Sequence, residues 1–502
     1  MSLLDKRSNG VLMHISSLPG ETGIGTMGKH AFAFVDFLVK SGQTYWQILP
    51  ICPTSYGDSP YQSFSTFAGN PYFIDFELLE KDGLIYAQDY KNVKWCESEK
   101  KVDYGILYVE RHKIFKLIQK NFEKNIPADY HEFCKKNDFW LQDYALFMAI
   151  KDEHNGSSFI NWEKDILLHE NSAVEKWTKK CSDRIEYYKI LQYLFFKQWF
   201  SLKDYANKKG VSIIGDIPIY VAADSADVWT NPEIFMLDQN HIPIEVAGCP
   251  PDAYALGGQL WGNPVYRWDY CKKTGFKWWK QRITSSLKIY DILRIDHFRG
   301  FDTFYSVKYG SIDAKIGEWK KGPGMDLFKE LKDSFGELPI IAEDLGYVTD
   351  TVRQLLKDTG FPGMKVLQFA FDANDKNGYI PYEFPKNCVV YTGTHDNCTI
   401  NQWVEQEKEQ FVQAAMDYYR ITDKSKVREE MMLSGISSVA NTCILTMQDL
   451  IGCGKEGRMN TPSTVGENWK WRATSDQFRD DIVEFLGKYT KIYGRKNEKL
   501  CQ

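Results

Sequence analysis

A chain of 502 residues, 43% hydrophobic and 26% charged, has the composition of a soluble globular protein with an ample core, built as one large domain with insertions or as several ordinary ones. Its net charge of -5 excludes the basic face that a dedicated nucleic-acid binder needs, and no apolar run approaches the length of a membrane span. The eleven cysteines are scattered, with no C-x-x-C pair and no Cys/His ligand spacing, which predicts free thiols in a reducing, cytoplasmic setting.

Met1 to Gly10 is polar and charged, unlike a secretory signal. Val11 to Ile15 reads as a first strand, ended by the loop Ser16 to Gly20. A helix is predicted from Lys29 to Lys40, with Ala31, Phe34, Val35 and Leu38 on one face and Gly42 as its stop. Tyr45 to Leu49 reads as a second strand closed by Pro50, so the chain opens on a βαβ unit. Gly23 to Gly28 matches G-x-G-x-x-G. The strand that follows ends Gln47-Ile48-Leu49-Pro50, without the acid that a dinucleotide ribose requires, so the match reads as a loop.

From about Leu78 to Gly210 the periodicity is helical, as in Tyr188 to Ala206, which is apolar at Leu191, Leu194, Phe195, Trp199 and Leu202. Residues 78–210 are therefore expected to form a mostly helical insertion between 1–77 and 211–502. Strand patterns return at Val211 to Asp216, Ile292 to Asp296, Leu338 to Glu343, Met364 to Phe371, Val389 to Thr392 and Thr442 to Thr446. Helical stretches such as Thr349 to Asp358 fall between several of them. With the two N-terminal strands this makes eight, the count of an α/β fold of the (β/α)8 TIM-barrel type. An open doubly wound sheet is the alternative, but it does not normally carry acids at so many strand ends.

Asp216, Asp296, Glu343 and Asp396 end or follow four separate strands, so a barrel would aim them at one cavity. Metal binding is one use of such a cluster, with His14, His297 and His395 as further ligands. Neither H-x-H on a strand nor H-E-x-x-H on a helix occurs, and no metal or organic cofactor is expected. Glycosyl transfer is the other. It needs an ionised nucleophile and a protonated acid about 5–5.5 Å apart if configuration is retained. The segment Arg294-Ile295-Asp296-His297-Phe298-Arg299 crowds charge at the end of an apolar strand, where a buried unpaired ion would be costly. It is either a salt-bridged strand cap or the mouth of a site. Arg294, two residues before Asp296 and so on the same side, favours the charged form of that acid. Glu343 follows Ile340, Ile341 and Ala342, an apolar approach that raises a carboxyl toward a general acid.

These residues and their neighbours resemble glycoside hydrolase family 77, the 4-α-glucanotransferases (amylomaltases, disproportionating enzymes) of the α-amylase superfamily. The resemblance runs nearly the full chain. It is carried by G-V-L-M-H-I-S-S-L-P-G, Y-W-Q-I-L-P, S-P-Y-Q-S-F-S-T-F-A-G-N-P-Y, G-D-I-P-I-Y-V, P-P-D-A-Y…G-Q-L-W-G-N-P, R-I-D-H-F-R-G, I-A-E-D-L-G, G-T-H-D-N and R-M-N-T-P, in that order. It implies a barrel without a C-terminal β-domain, and a retaining double displacement. Asp296 would attack the anomeric carbon, Glu343 would serve as acid and then base, and Asp396 would grip the sugar and stabilise the transition state. Arg294, His395 and Asp216 match supporting positions around the reacting glucose. Ser59, Tyr61, Asp252, Trp261 and Asn263 match substrate-binding positions, several of them within a lid loop near 247–266. The implied partners are α-1,4-glucans, maltooligosaccharides and glucose, with no nucleic acid and no membrane. The chain departs from the family pattern at Cys398, where an acid is usual, and at Ala255 to Gly258, where the lid loop is smaller. A hydrolase with the same carboxylates and a non-catalytic glucan-binding protein are the rival readings.

Overall fold

The computed structural model describes residues 3–251, 256–346, 348–371 and 378–497. The described strands are β1 (Ser8–Leu12), β2 (Tyr45–Gln47), β3 (Ser212–Pro218), β4 (Glu245–Cys249), β5 (Gln259–Pro264) and β6 (Ile292–Asp296). They continue with β7 (Thr303–Lys308), β8 (Glu318–Lys321), β9 (Ile340–Ala342), β10 (Gly363–Val366), β11 (Cys388–Tyr391) and β12 (Thr442–Thr446). Eight of them form one sheet in the order β10-β11-β12-β1-β2-β3-β6-β9, every neighbouring pair parallel. The two ends of that sheet meet, because the N–H of Ala342 donates to the carbonyl of Pro362 at 3.0 Å. The result is the (β/α)8 barrel, an α/β fold. Its strands read as continuous apolar runs because both faces are covered: Ile292, Leu293, Ile295, Val389 and Val390 are all buried.

The Lys29–Lys40 helix buries Ala31, Phe34, Val35 and Leu38, and Gly42 follows it at φ +73°. The Asp350–Thr359 helix starts where the Thr349 side chain accepts the N–H of Val352, and it ends on Gly360 in the left-handed conformation. Between β2 and β3 the chain runs through helices that include Tyr104–Phe122, Asp138–Glu153 and the 27-residue Ser182–Lys208. This helical segment is tied to the barrel loops by polar clamps. Gln192 both donates to and accepts from the backbone of Gly69, and Gln198 does the same with Asp75. Lys151, buried against the rings of Phe64 and Phe147, pairs with Asp224 in the loop after β3.

Three expectations need correction. The first strand is Ser8–Leu12 rather than Val11 to Ile15. Ser8 and Asn9 look like loop residues, but pairing with Thr442 and Cys443 of β12 buries them. The strand expected from Met364 to Phe371 is shorter, Gly363–Val366, and turns into a 3-10 helix at Leu367–Phe369. The expected lid loop near 247–266 is framed by strands. β4 and β5 pair antiparallel, and with β7 and β8 they make a second sheet of order β5-β4-β7-β8. Short strands interrupted by Gly248 and Gly262 carry too little periodicity to be read from sequence.

Close strand approach explains one glycine directly. A Cβ at Gly10 would stand 2.6 Å from the backbone oxygen of Tyr45. Gly10→Ala is expected to destabilise the fold by about 1–3 kcal/mol, read as a lower urea midpoint, with wild-type spectroscopic signatures below the transition.

Candidate active site

The register of the barrel sets the centre of the site. Asp216 of β3 lies directly opposite Arg294 of β6, and Pro218 lies opposite Asp296. Arg294 spans both acids: its Nη1 is 2.6 Å from Asp216 Oδ2 and its Nη2 is 3.0 Å from Asp296 Oδ1. The guanidinium and Asp216 are almost wholly buried, whereas Asp296 keeps 29% of its side chain open. The charge cluster of Arg294 to Arg299 therefore contains the salt bridge the sequence allowed, with one of its acids left partly open.

Two further acids converge from the other strand ends. Glu343 follows β9, and its two oxygens are held separately. Oε2 accepts the N–H of His297 and Oε1 accepts the N–H of Leu345, each at 2.7 Å. His297 reaches this position in the left-handed conformation, at φ +55°, which is costly for a residue with a Cβ. Asp396, in the loop after β11, accepts from Asn460 Nδ2 at 2.6 Å and lies 3.4 Å from His395 Nε2. Tyr61 closes the cluster from the loop after β2. Its ring stacks on His395 at 4.9 Å, and its hydroxyl donates to Asp216 Oδ2 at 2.7 Å.

These surroundings separate the acids electrostatically. Burial, and next the charge of Asp296, push the Glu343 carboxyl up to about 8, against the opposing pull of Arg294 and the two backbone N–H groups. Burial likewise raises Asp216 and lowers His297, the latter to about 4, so the imidazole is neutral. The Arg294 cation is held well above its ordinary range by Asp216 and Asp296, burial notwithstanding. His14 is pushed down to about 3 by burial and then by His395, and its Nδ1 accepts the N–H of Leu49. Among the described residues no group of three or more His, Cys, Asp and Glu side chains is placed to hold a metal ion.

The remaining sequence candidates sit at the rim. Trp261 is half-buried with its ring 4.7 Å from that of His297, edge to face. Asn263 is buried and occupied, donating to the carbonyl of Val221 and accepting from Gln62. The Ser59 hydroxyl accepts the N–H of Tyr61 and shapes the turn that presents that ring. Asp252 and Ala255 lie outside the described residues. Cys398 is half-buried, its thiol raised to about 11 by burial and 3.5 Å from Gln368 Oε1, so it occupies the usual acid position as a neutral group.

Sequence reasoning gave no individual role to Arg458 or Asn460, and considered His297 only as a metal ligand. Asn460 grips the Asp396 side chain and donates its own N–H to the carbonyl of His395, while Arg458 donates to the carbonyl of Asp396. The R-M-N-T-P motif was the available signal, but it lies 64 positions from Asp396 and only folding joins them.

The chain has close counterparts among known proteins. The family model described as 4-alpha-glucanotransferase, glycoside hydrolase family 77, matches residues 13–477. The 4-alpha-glucanotransferase of Clostridium butyricum is 50% identical over 489 residues, covering 96% of this chain and 100% of that protein. The 4-alpha-glucanotransferase of Streptococcus pneumoniae serotype 4 is 47% identical over 500 residues, covering 99% of each. The amylomaltase of Streptococcus agalactiae, solved in complex with acarbose, superposes with a TM-score of 0.96 at 45% identity, over 98% of this chain and 100% of that one.

Removing the shared cation strands two acids. Arg294→Met is expected to lower stability by about 3–5 kcal/mol, seen as a fall in the urea midpoint, because Asp216 has no other cation within ion-pair distance among the described residues.

Proposed function

Because this chain belongs to the 4-alpha-glucanotransferases of glycoside hydrolase family 77, we propose that it moves a segment of an α-1,4-glucan to the 4-hydroxyl of glucose or a maltooligosaccharide, with Asp296, Glu343 and Asp396 as its catalytic groups. In the first step a carboxylate oxygen of Asp296 bonds to the anomeric carbon while the C1–O4 bond breaks. Glu343 delivers its proton to the departing oxygen, leaving a covalent glycosyl-enzyme. In the second step Glu343, now a carboxylate, takes the proton of the acceptor 4-hydroxyl. That oxygen bonds to C1, the ester to Asp296 breaks, and configuration is retained. Asp396, fixed by Asn460, binds hydroxyls of the distorted sugar. Arg294 and Tyr61 align the floor on which the nucleophile sits.

One observation carries this assignment: Glu343 is buried and pushed up to about 8, while Asp296, beside it, is held by the Arg294 cation and open to the cleft. Two carboxyls in such different surroundings divide the work of acid and nucleophile. Hydrolysis would use the same groups with water as acceptor, so transfer depends on an acceptor sugar reaching the intermediate first. No helix among the described residues is long and apolar enough to cross a membrane. All ten described cysteines are free, which supports the reading of a cytoplasmic enzyme acting on soluble glucans.

Incubation with maltotriose tests the activity. A ladder of longer maltodextrins together with glucose is expected, whereas products no longer than the substrate would mark a hydrolase. Asp296→Asn is expected to slow that reaction by several powers of ten, each worth about 1.4 kcal/mol of barrier. A near-normal rate would end the assignment.

The acid step also sets a pH dependence. Glu343 must be protonated to release the leaving group, and its raised value keeps it so through neutrality. Measured as kcat/KM, activity is expected to fall about tenfold per pH unit above pH 8. A profile level to pH 10 would remove Glu343 from the role of acid.

A further inference from the structure

Fourteen of the fifteen tryptophans are buried or half-buried, and Trp319 alone is exposed, with 43% of its surface open. It stands on β8, the outer strand of the four-stranded sheet, flanked by the exposed side chains of Glu318 and Lys321. An indole on a sheet edge leaves apolar area in water, at about 25 cal/mol per Å². Packing accounts for only part of this one. Its cross-strand partner Tyr305 meets it edge to face at 5.3 Å, and the guanidinium of Arg299 lies 3.9 Å from the ring centre. With a cation over its ring and a phenol ring beside it, the indole is held in place while much of its surface stays open.

That support runs directly into the catalytic centre. Arg299 belongs to the Phe298–Phe301 turn that leaves β6 immediately after Asp296 and His297. Leu260, Gly248, Tyr305 and Trp319 pair in one row across the sheet, so Trp261, next to Leu260, points to the other face, where it meets His297. The same small sheet thus carries one tryptophan against the site and one on its outer edge.

We propose that Trp319 is a binding platform for an outlying glucose unit of a long α-1,4-glucan, engaged when the chain extends beyond the cleft. The reading rests on the glucan activity proposed above. A pyranose ring presents a face of C–H bonds that packs on an aromatic face, and the cation behind the indole limits its motion and the entropy lost on binding. Glu318 and Lys321 supply acceptors and donors for hydroxyls at the ring edge. The ligand is a flexible, neutral, polyhydroxylated chain, which a rigid ring flanked by charged side chains suits.

The test compares kcat/KM of wild type, Trp319→Ala and Trp319→Phe on maltotriose and on amylose, together with migration in native gels containing amylose. Trp319→Ala is expected to lose at least fivefold more on amylose than on maltotriose and to migrate faster in the amylose gel. Trp319→Phe, which keeps an aromatic face, is expected to recover most of both. Equal losses on the two donors would overturn the proposal and leave Trp319 a packing residue. An altered mass by light scattering with an unaltered donor ratio would also overturn it, making the edge a contact between copies of the chain. If wild type makes no ladder from maltotriose, the transfer reading fails instead, and the gel still reports whether Trp319 holds glucan.

Discussion

Arg294 is the residue on which the rest of the site depends. One buried guanidinium faces two carboxylates on adjacent strands, Asp216 across the sheet and Asp296 two residues further along its own strand. Burying three charges is unfavourable unless they compensate one another at close range, so the cluster requires both strands to be in register. A slip of one residue between β3 and β6 would turn Asp216 away from Arg294 and bury that carboxyl without its cation. One side chain serves both acids, because the cation that compensates Asp216 also lies against the partly open carboxylate of Asp296.

Around that centre the fold places each acid in a different environment by a different device. Glu343 sits past the end of an apolar strand, where burial keeps its proton on, and a left-handed turn at His297 aims a backbone N–H at one of its oxygens. Asp396 stands in an open loop and takes its orientation from Asn460, which comes from a segment far along the chain. Asp216 has Tyr61 and Arg294 on one oxygen, and its other oxygen is buried with no protein partner. These carboxyls thereby differ in burial and in the groups that hold them, the kind of difference that a stepwise acid–base and nucleophilic reaction needs.

The segments between the strands hold the loops that surround the acids. The long Ser182–Lys208 helix fixes the backbone at Gly69 and Asp75 through two glutamines, and buried Lys151 anchors the loop beyond β3. Buried Arg282 bonds the carbonyls of Pro218 and Ile219 as well as Thr66, so the end of β3 and the Tyr61 loop are braced by one side chain. The second sheet performs a similar service on the opposite rim, bringing Trp261 to His297.

Local chemistry was enough to read the eight barrel strands, the Lys29–Lys40 helix and the acids at the strand ends, because apolar runs ending in charge are a pattern of adjacent residues. The motif order then pointed to the family. Boundaries set by pairing were not legible: Ser8 and Asn9 become strand only because β12 lies beside them. The second sheet was hidden for the same reason, its short, glycine-containing strands being held by partners as far apart in sequence as Glu245 and Lys308. Nor did adjacency show that Asn460 would steady Asp396, or that Trp319 would be exposed against Arg299 while fourteen other tryptophans were covered. Sequence alone determined which side chains were available and in what order. The tertiary structure decided which of them share a cleft, since burial and distance, and with them proton affinity, exist only once the strands are in register.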